Sequence, residues 1–316
     1  MEGMRRIGIL FLGGAKRVSM ARLFIARGRE LGLDVRIFSY EATLRVPIAE
    51  VGTVICGLRW RDPEIYDDLA RVCRDNGISV VIPFVDGAVE VAARFAAMTP
   101  GVFAPSCAPE SAEGMFDKCR ANHIFESLGL PVPRSFASGA GCRWIAKPVH
   151  GSASQGIVFP SDDAEAQVLA ESGEYLVQEL IQDRREYTVD CYVNVADGAV
   201  VAVSPRLRIE TVGGEVSRTV TVDRPDICAL THRLLDGAGL RGAVTVQFIE
   251  DNPTGRVMVM EVNPRLGGGA VCSVYADVDL PRMIMLDSLG TPSDTPVVPR
   301  PGVEMCRYMQ EVIFYE

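Results

Sequence analysis

The chain has 316 residues, of which 48% are hydrophobic, and a formal net charge of -9. An acidic protein without a basic run is not expected to bind nucleic acid or anionic membranes, because both need a cationic surface. The apolar stretch Ile7–Leu12 is too short to span a bilayer. Nine cysteines without a C-x-x-C pair and three histidines argue against a disulfide framework or a zinc site. We therefore expect a cytoplasmic protein.

The first third of the chain alternates short apolar runs with amphipathic stretches. The predicted strands are Ile7–Leu12, Val35–Ser39, Val80–Pro83 and Val102–Ala104, and the predicted helices are Val18–Leu31, Pro63–Asn76 and Ala88–Met98. This rhythm is typical of βαβ units. It predicts an α/β domain with a doubly wound parallel sheet over residues 1–107.

The pattern changes after a predicted helix at Pro109–Leu128, which ends at a glycine- and proline-rich stretch. Longer strands follow at 142–148, 175–181, 186–195, 199–210, 216–222, 243–249 and 257–263, with helices at Asp162–Glu171 and Asp226–Leu240. The mixture predicts an α+β region of mostly antiparallel sheets with helices on one side. We divide it into a central part, 108–182, and a C-terminal part, 183–316.

A lysine followed by a loop of small residues is the first candidate site. Lys147 ends a predicted strand, and the loop Gly151–Gly156 contains glycines and serines. Small residues let backbone N–H groups approach a phosphate, and a lysine adds a point charge. The motif is not a Walker A loop. An ordinary flexible connection between two strands is the alternative.

Oxygen-bearing side chains near the C-terminus predict a magnesium site. Strand alternation places Glu261 and Asn263 on one face and Met258, Met260 and Val262 on the other. If the preceding strand pairs Gln247 with Glu261, a third oxygen joins them. Arg265, just past the strand, has the planar donor fork that suits a phosphate. The alternative is that these residues only cap a strand end.

The motifs stand in the order of a known family: a lysine in a helix (Lys118), Lys147 before its glycine loop, VQELI, EYTVD, a glutamine in VQF, and EVNPRLGGG. In this order they resemble the ATP-grasp superfamily, in particular its biotin-carboxylase and carbamoyl-phosphate-synthase branch and short stand-alone proteins of the latter kind. The resemblance covers nearly the whole chain and implies an ATP-grasp fold behind a pre-ATP-grasp domain.

The resemblance also implies roles for individual residues. Lys118 and Lys147 would contact ATP phosphates beneath the covering loop, which includes Gly151, Ser152, Ser154 and Gly156. Glu179, Leu180 and Ile181 would read the adenine next to Met260, and Glu186 would hold the ribose. Gln247, Glu261 and Asn263 would hold one or two Mg²⁺ ions, which Mn²⁺ can replace, and Arg265 would steady the γ-phosphate.

The expected activity is that of an ADP-forming carboxylate-amine ligase, which activates a small acid as its acyl phosphate for attack by an amine. A small-molecule kinase that releases the acyl phosphate and a non-catalytic ATP-binding module are the alternatives. The chain has length for one ATP-grasp unit, whereas carbamoyl phosphate synthase resembles two. The expected partners are the acid and the amine, with a homodimer as a further expectation.

The acid substrate needs a cation of its own. Arg206 and Arg208 are two apart on a predicted strand, and Arg218 follows a Gly213-Gly214 turn. Arg208 and Arg218 are predicted to bind the carboxylate, with a solvated surface row as the alternative. Gly13, Gly14, Arg17 and Asp86 follow predicted parallel strands, where α/β sheets bind ligands. The G-x-G-x-x-G pattern of a dinucleotide site is missing.

Overall fold

The structure is a computed structural model, and it describes residues 4–151 and 155–315. The first sheet is parallel, in the order β3-β2-β1-β4. Its strands are β1 (Arg5–Leu12), β2 (Leu33–Glu41), β3 (Thr53–Cys56) and β4 (Ile78–Pro83), and its helices are α1 (Val18–Glu30), α2 (Ile65–Asn76) and α3 (Asp86–Met98). A short 3-10 helix, Pro47–Glu50, precedes β3.

Alternate side chains of β1 pack into two different cores. Ile7, Ile9 and Phe11 face α1, whereas Leu10 and Leu12 pack with α2 and α3. Helices on both faces make this the predicted doubly wound sheet. The core against α1 also contains residues of α9 (Leu280–Ser288) from the other end of the chain.

A two-stranded antiparallel sheet follows. Its strands are β5 (Trp144–Pro148) and β6 (Tyr175–Glu179), and α6 (Asp163–Glu171) packs against it. Two helices precede it, α4 (Pro109–Phe116) and α5 (Lys118–Ser127). The buried side chains of these two helices pack against the last and largest sheet.

The largest sheet has six antiparallel strands in the order β11-β10-β7-β8-β9-β12. The strands are β7 (Arg184–Val193), β8 (Val200–Val212), β9 (Glu215–Thr221), β10 (Gly242–Asp251), β11 (Arg256–Asn263) and β12 (Glu304–Cys306), with α7 (Pro225–Gly237) and α8 (Ala270–Tyr275). One face packs on α4, α5 and α7. The other face, through Tyr192 and Val201, reaches the core that contains α9, so helices cover more than the one side expected.

The prediction of one helix over Pro109–Leu128 is wrong. The chain leaves helical geometry at Asp117, with φ -89° and ψ 107°, and the Asp117 carboxylate accepts the N–H of Arg120 at 2.9 Å. An aspartate that caps a new helix explains the break. Val102–Ala104 contributes only a bridge between Val80 and Phe103 rather than the predicted strand. The short elements β3, α8, α9 and β12 were not predicted.

The predicted division at residues 107 and 182 stays a prediction. None of the described helices is long and apolar enough to cross a membrane.

A buried ion pair lies between β7, β8 and α8. Arg206 Nε donates to Asp190 Oδ2 at 2.7 Å, Ser273 Oγ donates to the same oxygen at 2.6 Å, and each charged side chain is 2% exposed. Gly269 closes over the pair, since a Cβ there would lie 2.6 Å from Arg206 Nη1. This contact explains a glycine in the run after β11.

We expect Asp190→Ala to lower the free energy of unfolding by about 3–5 kcal/mol, because it leaves a buried guanidinium without its partner. Urea unfolding followed by circular dichroism measures the change. Asp34→Ala, which breaks the exposed Arg6–Asp34 pair, is the control and should change stability little. Equal effects of the two substitutions would contradict this account.

Candidate functional site

A cavity of about 700 Å³ opens where the carboxyl ends of the parallel strands meet the β5–β6 sheet and the β10–β11 hairpin. Most of the residues singled out in the sequence line it. They are Lys118, Lys147, Gly151, Glu179, Leu180, Ile181, Glu186, Arg208, Gln247, Met260, Glu261, Asn263 and Arg265, together with Arg17 and Asp86. The fold therefore brings together groups that are up to 248 positions apart in the chain, from Arg17 to Arg265.

Four residues with a predicted role at the ATP or acid site stand apart from this set, as do Gly13 and Gly14 after β1. Ser152 and Ser154, in the predicted covering loop, lie outside the described residues. Gly156 is described but does not line the cavity, although its neighbours Gln155 and Ile157 do. Arg218 lies elsewhere, for a reason given below.

Lys147 is held by neutral partners. Its Nζ donates to Gln178 Oε1 at 2.8 Å, and Gln178 Nε2 in turn donates to Asn122 Oδ1 at 2.8 Å. Gln178 is on β6 and Asn122 is on α5. Amide groups orient an ammonium without neutralising it. The positive charge of Lys147 therefore stays available to a ligand.

Burial lowers the pKa of Lys147 to about 8. The carboxylate of Glu261 acts against this effect, and the ammonium of Lys118 adds to it. Lys118 begins α5 and donates from Nζ to the carbonyl oxygen of Gly151 at 2.7 Å. Two positive charges thus face one cavity, and a bound anion would relieve the repulsion between them.

The β10–β11 hairpin confirms the pairing of Gln247 with Glu261. The register shifts at this point, because Phe248 pairs with Val259 and Met260 is left as an extra residue. Val259 and Val262 then pack in the core behind the sheet. The predicted face of Met258 and Met260 is therefore wrong, since the bulge turns both toward the cavity side, where they pack with Ile181 and Ile249.

Polar side chains occupy the carboxyl end of β11. Asn263 Nδ2 donates to Glu261 Oε1 at 2.9 Å, and Asn263 Oδ1 accepts from Arg265 Nη2 at 3.3 Å. Arg265 also pairs with Asp86 at 2.6 Å. The carboxylate of Glu261 and the amides of Asn263 and Gln247 thus converge there. The described residues hold no cluster of three or more His, Cys, Asp or Glu side chains that could bind a metal without further ligands.

The predicted adenine-reading segment is only partly free. The N–H of Glu179 donates to Arg134 O at 2.8 Å, and that of Leu180 donates to Arg143 O at 2.7 Å. The Glu179 carboxylate is buried and pairs with Arg134 at 2.9 Å and with Arg256. Within residues 4–151 and 155–315 the N–H of Ile181 has no hydrogen-bond partner. The backbone N–H groups of Glu179 and Leu180 are therefore not available to read an adenine, whereas that of Ile181 is.

Arg208 faces the cavity. Its Nε lies 3.5 Å from Glu186 Oε2 and is buried without a hydrogen-bond partner among the described residues. Burial lowers the pKa of Arg208, while the charge of Glu186 raises it. Glu186 also accepts from Arg184 Nε at 2.9 Å. A guanidinium that is buried and incompletely paired is suited to an anionic ligand.

Arg218 does not join Arg208, and the prediction that it lies beside it is wrong. The Gly213-Gly214 turn forms as expected, but the register shifts within the hairpin, so that Thr219 pairs with Arg208 and Arg218 pairs with Glu210. Arg218 Nε instead contacts Glu304 of β12 at 2.5 Å. Arg206 is also withdrawn from the cavity by its buried pairing with Asp190.

Several residues of the site were missed in the sequence. Gln178 accepts a hydrogen bond from Lys147 and so orients it. A polar residue within an apolar strand could have indicated this role in the sequence. Trp60 lines the cavity from a loop that carries no motif. Glu215, which pairs with Arg17 at 3.2 Å and Arg307 at 2.6 Å, depends on contacts between distant segments.

Solved structures share this architecture. The chain is similar to the biotin carboxylase domain dimer of Hydrogenobacter thermophilus 2-oxoglutarate carboxylase in complex with MgADP, ADP and bicarbonate, with 16% identity, a TM-score of 0.73, and coverage of 92% of this chain and 71% of that chain. It is also similar to Staphylococcus aureus N5-carboxyaminoimidazole synthetase complexed with ADP, with 14% identity, a TM-score of 0.72, and coverage of 95% of this chain and 82% of that chain. The Campylobacter jejuni biotin carboxylase β-γ-ATP complex is similar as well, with 17% identity, a TM-score of 0.71, and coverage of 91% of this chain and 72% of that chain. The chain therefore has the ATP-grasp fold.

Part of the sequence also matches a family model. Residues 171–311 match the family described as ATP-grasp in the biosynthetic pathway with Ter operon. A comparison with curated proteins finds no match. This match and the shared fold confirm the predicted resemblance to the ATP-grasp superfamily.

The pKa of Lys147 is testable without any ligand. The chain has three lysines, Lys16, Lys118 and Lys147, so their NMR signals can be assigned by single substitutions. We expect a titration near pH 8 that disappears in Lys147→Met. Glu261→Gln should shift this titration to lower pH, because it removes the carboxylate that raises the pKa. An unchanged or higher midpoint in Glu261→Gln would contradict the proximity of the two groups.

Proposed function

We propose that this protein is an ATP- and Mg²⁺-dependent carboxylate-amine ligase that releases ADP and phosphate. One observation carries the proposal: a single cavity is lined by Lys118, Lys147 and Arg265, by the oxygen-bearing Gln247, Glu261 and Asn263, and by the incompletely paired Arg208. Phosphoryl transfer to a carboxylate requires positioning and charge neutralisation more than a general base. These side chains supply both.

In this proposal ATP lies between the β5–β6 sheet and the β10–β11 hairpin. The adenine would pack on the apolar group Ile181, Ile249 and Met260, and the free N–H of Ile181 would donate to the base. Glu186 would accept from the ribose hydroxyls. The phosphates would extend toward Lys118, Lys147 and the start of the covering loop at Gly151.

The residues at the end of β11 suit a hard cation that ATP brings with it. Glu261 offers a carboxylate, Gln247 and Asn263 offer amide oxygens, and Mg²⁺ takes its remaining ligands from water and phosphate. Bound there, Mg²⁺ would offset charge on the phosphates, and Mn²⁺ would replace it. Arg265 would exchange part of its contact with Asp86 for the γ-phosphate.

Arg208 would bind the acid substrate. One carboxylate oxygen of the acid would attack the γ-phosphorus, ADP would leave, and the acyl phosphate would stay against the guanidinium. The amine would then form the new C–N bond while phosphate leaves. Lys147, oriented by Gln178, would hold the transferring phosphoryl group during both steps.

ADP release across a panel of acids, each with and without amines, tests the activity. Dependence on both substrates is the expected result. Release that depends on the acid alone would indicate a kinase instead, and no release with any acid would contradict the proposal. Glu261→Gln should lower turnover by orders of magnitude at saturating Mg²⁺, whereas the exposed Glu210→Gln on β8 is the matched control with normal turnover.

Arg208→Met should raise the KM for the acid by roughly ten- to a hundredfold, since it removes a charge-assisted pair of about 1.5–3 kcal/mol. The affinity for an ATP analogue, measured by calorimetry, should change little. Arg218→Met is the control, because Arg218 lies outside the cavity, and it should leave both quantities unchanged. If Arg208→Met weakens the ATP analogue as much as the acid, Arg208 belongs to the phosphate site.

A further inference from the structure

A second cleft adjoins the cavity. It has a volume of about 1770 Å³ and lies at the carboxyl ends of β1, β2 and β4. Arg17, Trp60, Asp86 and Glu215 line both spaces. A molecule bound in the second cleft would therefore extend to Asp86 and its partner Arg265, where the phosphoryl group is proposed to be transferred.

Basic side chains of this cleft lack partners. Lys16, Arg59, Arg61 and Arg120 line it, and none of them forms an ion pair within the part of the chain that the structure describes. Cations gathered on one surface repel one another unless an anion joins them. The cleft therefore offers four basic groups with which an anionic ligand could pair.

The acidic side chains of the cleft are already engaged. Glu90 and Glu113 pair with Arg94 at 2.8 and 2.7 Å. Arg17 and Arg307 pair with Glu215 and, against the opposing effect of its burial, lower its pKa to about 2. Asp62 and Asp117 accept backbone N–H groups, and Glu41 accepts from Ser39 Oγ at 2.6 Å. Hydrogen bonds from neutral donors leave these last three carboxylates charged, so the cleft holds four basic groups without an ion pair beside three such carboxylates.

Trp60 forms a wall at the border of the two spaces. Its ring centroid lies 5.9 Å from that of Tyr40, at an interplanar angle of 34°. Gly87, in the first turn of α3, also lies against the ring, since a Cβ there would be 3.0 Å from Trp60 Cδ1. A half-buried aromatic ring fixed in this way offers apolar contact to the carbon skeleton of a ligand.

We propose that the second cleft binds the amine acceptor, and that the acceptor carries an anionic group, a carboxylate or a phosphate, which the group of Lys16, Arg59, Arg61 and Arg120 recognises. The inference rests on the proposed ligase function. The amine nitrogen would attack the acyl carbon beside Asp86 and Arg265. The C–N bond would form, the acyl C–O bond to phosphate would break, phosphate would leave, and the amine proton would pass to water.

Binding is measured through the fluorescence of Trp60 in the presence of Mg²⁺ and an ATP analogue. Four amines serve as probes. Glycine and L-glutamate carry carboxylates, phosphoethanolamine carries a phosphate, and ethanolamine carries no anionic group. We expect the anionic amines to change the signal, Trp60→Phe to abolish the change, and Arg59→Ala/Arg61→Ala to raise their Kd roughly tenfold or more. Arg45→Ala is the control, because Arg45 is exposed and lines neither space.

Ethanolamine binding as tightly as the anionic amines, no binding by any of them, or an unchanged Kd in the double variant would overturn the proposal. A stronger response to phosphoethanolamine than to the amino acids would identify phosphate as the group recognised. The titration needs no turnover. A lack of ADP release would therefore contradict the ligase function, whereas a failed titration would contradict this acceptor site.

Discussion

The ion pair between Arg265 and Asp86 joins the two large sheets at the cavity. Asp86 begins α3 after the last parallel strand, and Arg265 follows the last strand of the β10–β11 hairpin. Both side chains are mostly buried, at 18% and 25% exposure, so solvent screens their attraction less than at a surface. The carboxyl ends of the parallel strands therefore face the polar end of β11, and the two spaces meet at this contact.

In the cavity, the groups that orient the charged side chain of Lys147 do not neutralise its charge. Lys147 is oriented by the amides of Gln178 and Asn122, and Glu261 is near enough to affect its pKa without forming an ion pair with it. Arg206 shows the opposite arrangement, since a buried carboxylate satisfies it and removes it from the cavity. Two arginines two positions apart on one strand thus differ in pairing. Arg206 is satisfied by a buried carboxylate, whereas Arg208 keeps a buried Nε without a hydrogen bond among the described residues, although Glu186 lies 3.5 Å away.

Local patterns predicted most of the fold, and they failed where a single residue changes the periodicity. Strand alternation and the βαβ rhythm located both large sheets, and loop length gave the Gln247–Glu261 pairing. The bulge at Met260 could not be read from the apolar run in which it lies, because both of its neighbours fit a regular strand. Arg218 was misplaced for a similar reason, as hairpin irregularities between Arg208 and Thr211 shift its register. Contacts between distant segments, such as Arg17 with Glu215, leave no periodic signal at all.

The scarcity of lysine has a practical consequence. All three lysines face the two spaces: Lys118 and Lys147 line the cavity, and Lys16 lines the second cleft. Reagents that acylate or carbamylate side-chain amines would act on this protein as site-directed labels. Lys147, with its pKa near 8, would supply an unprotonated amine under mild conditions, so its labelling rate would report directly on whether the cavity is filled.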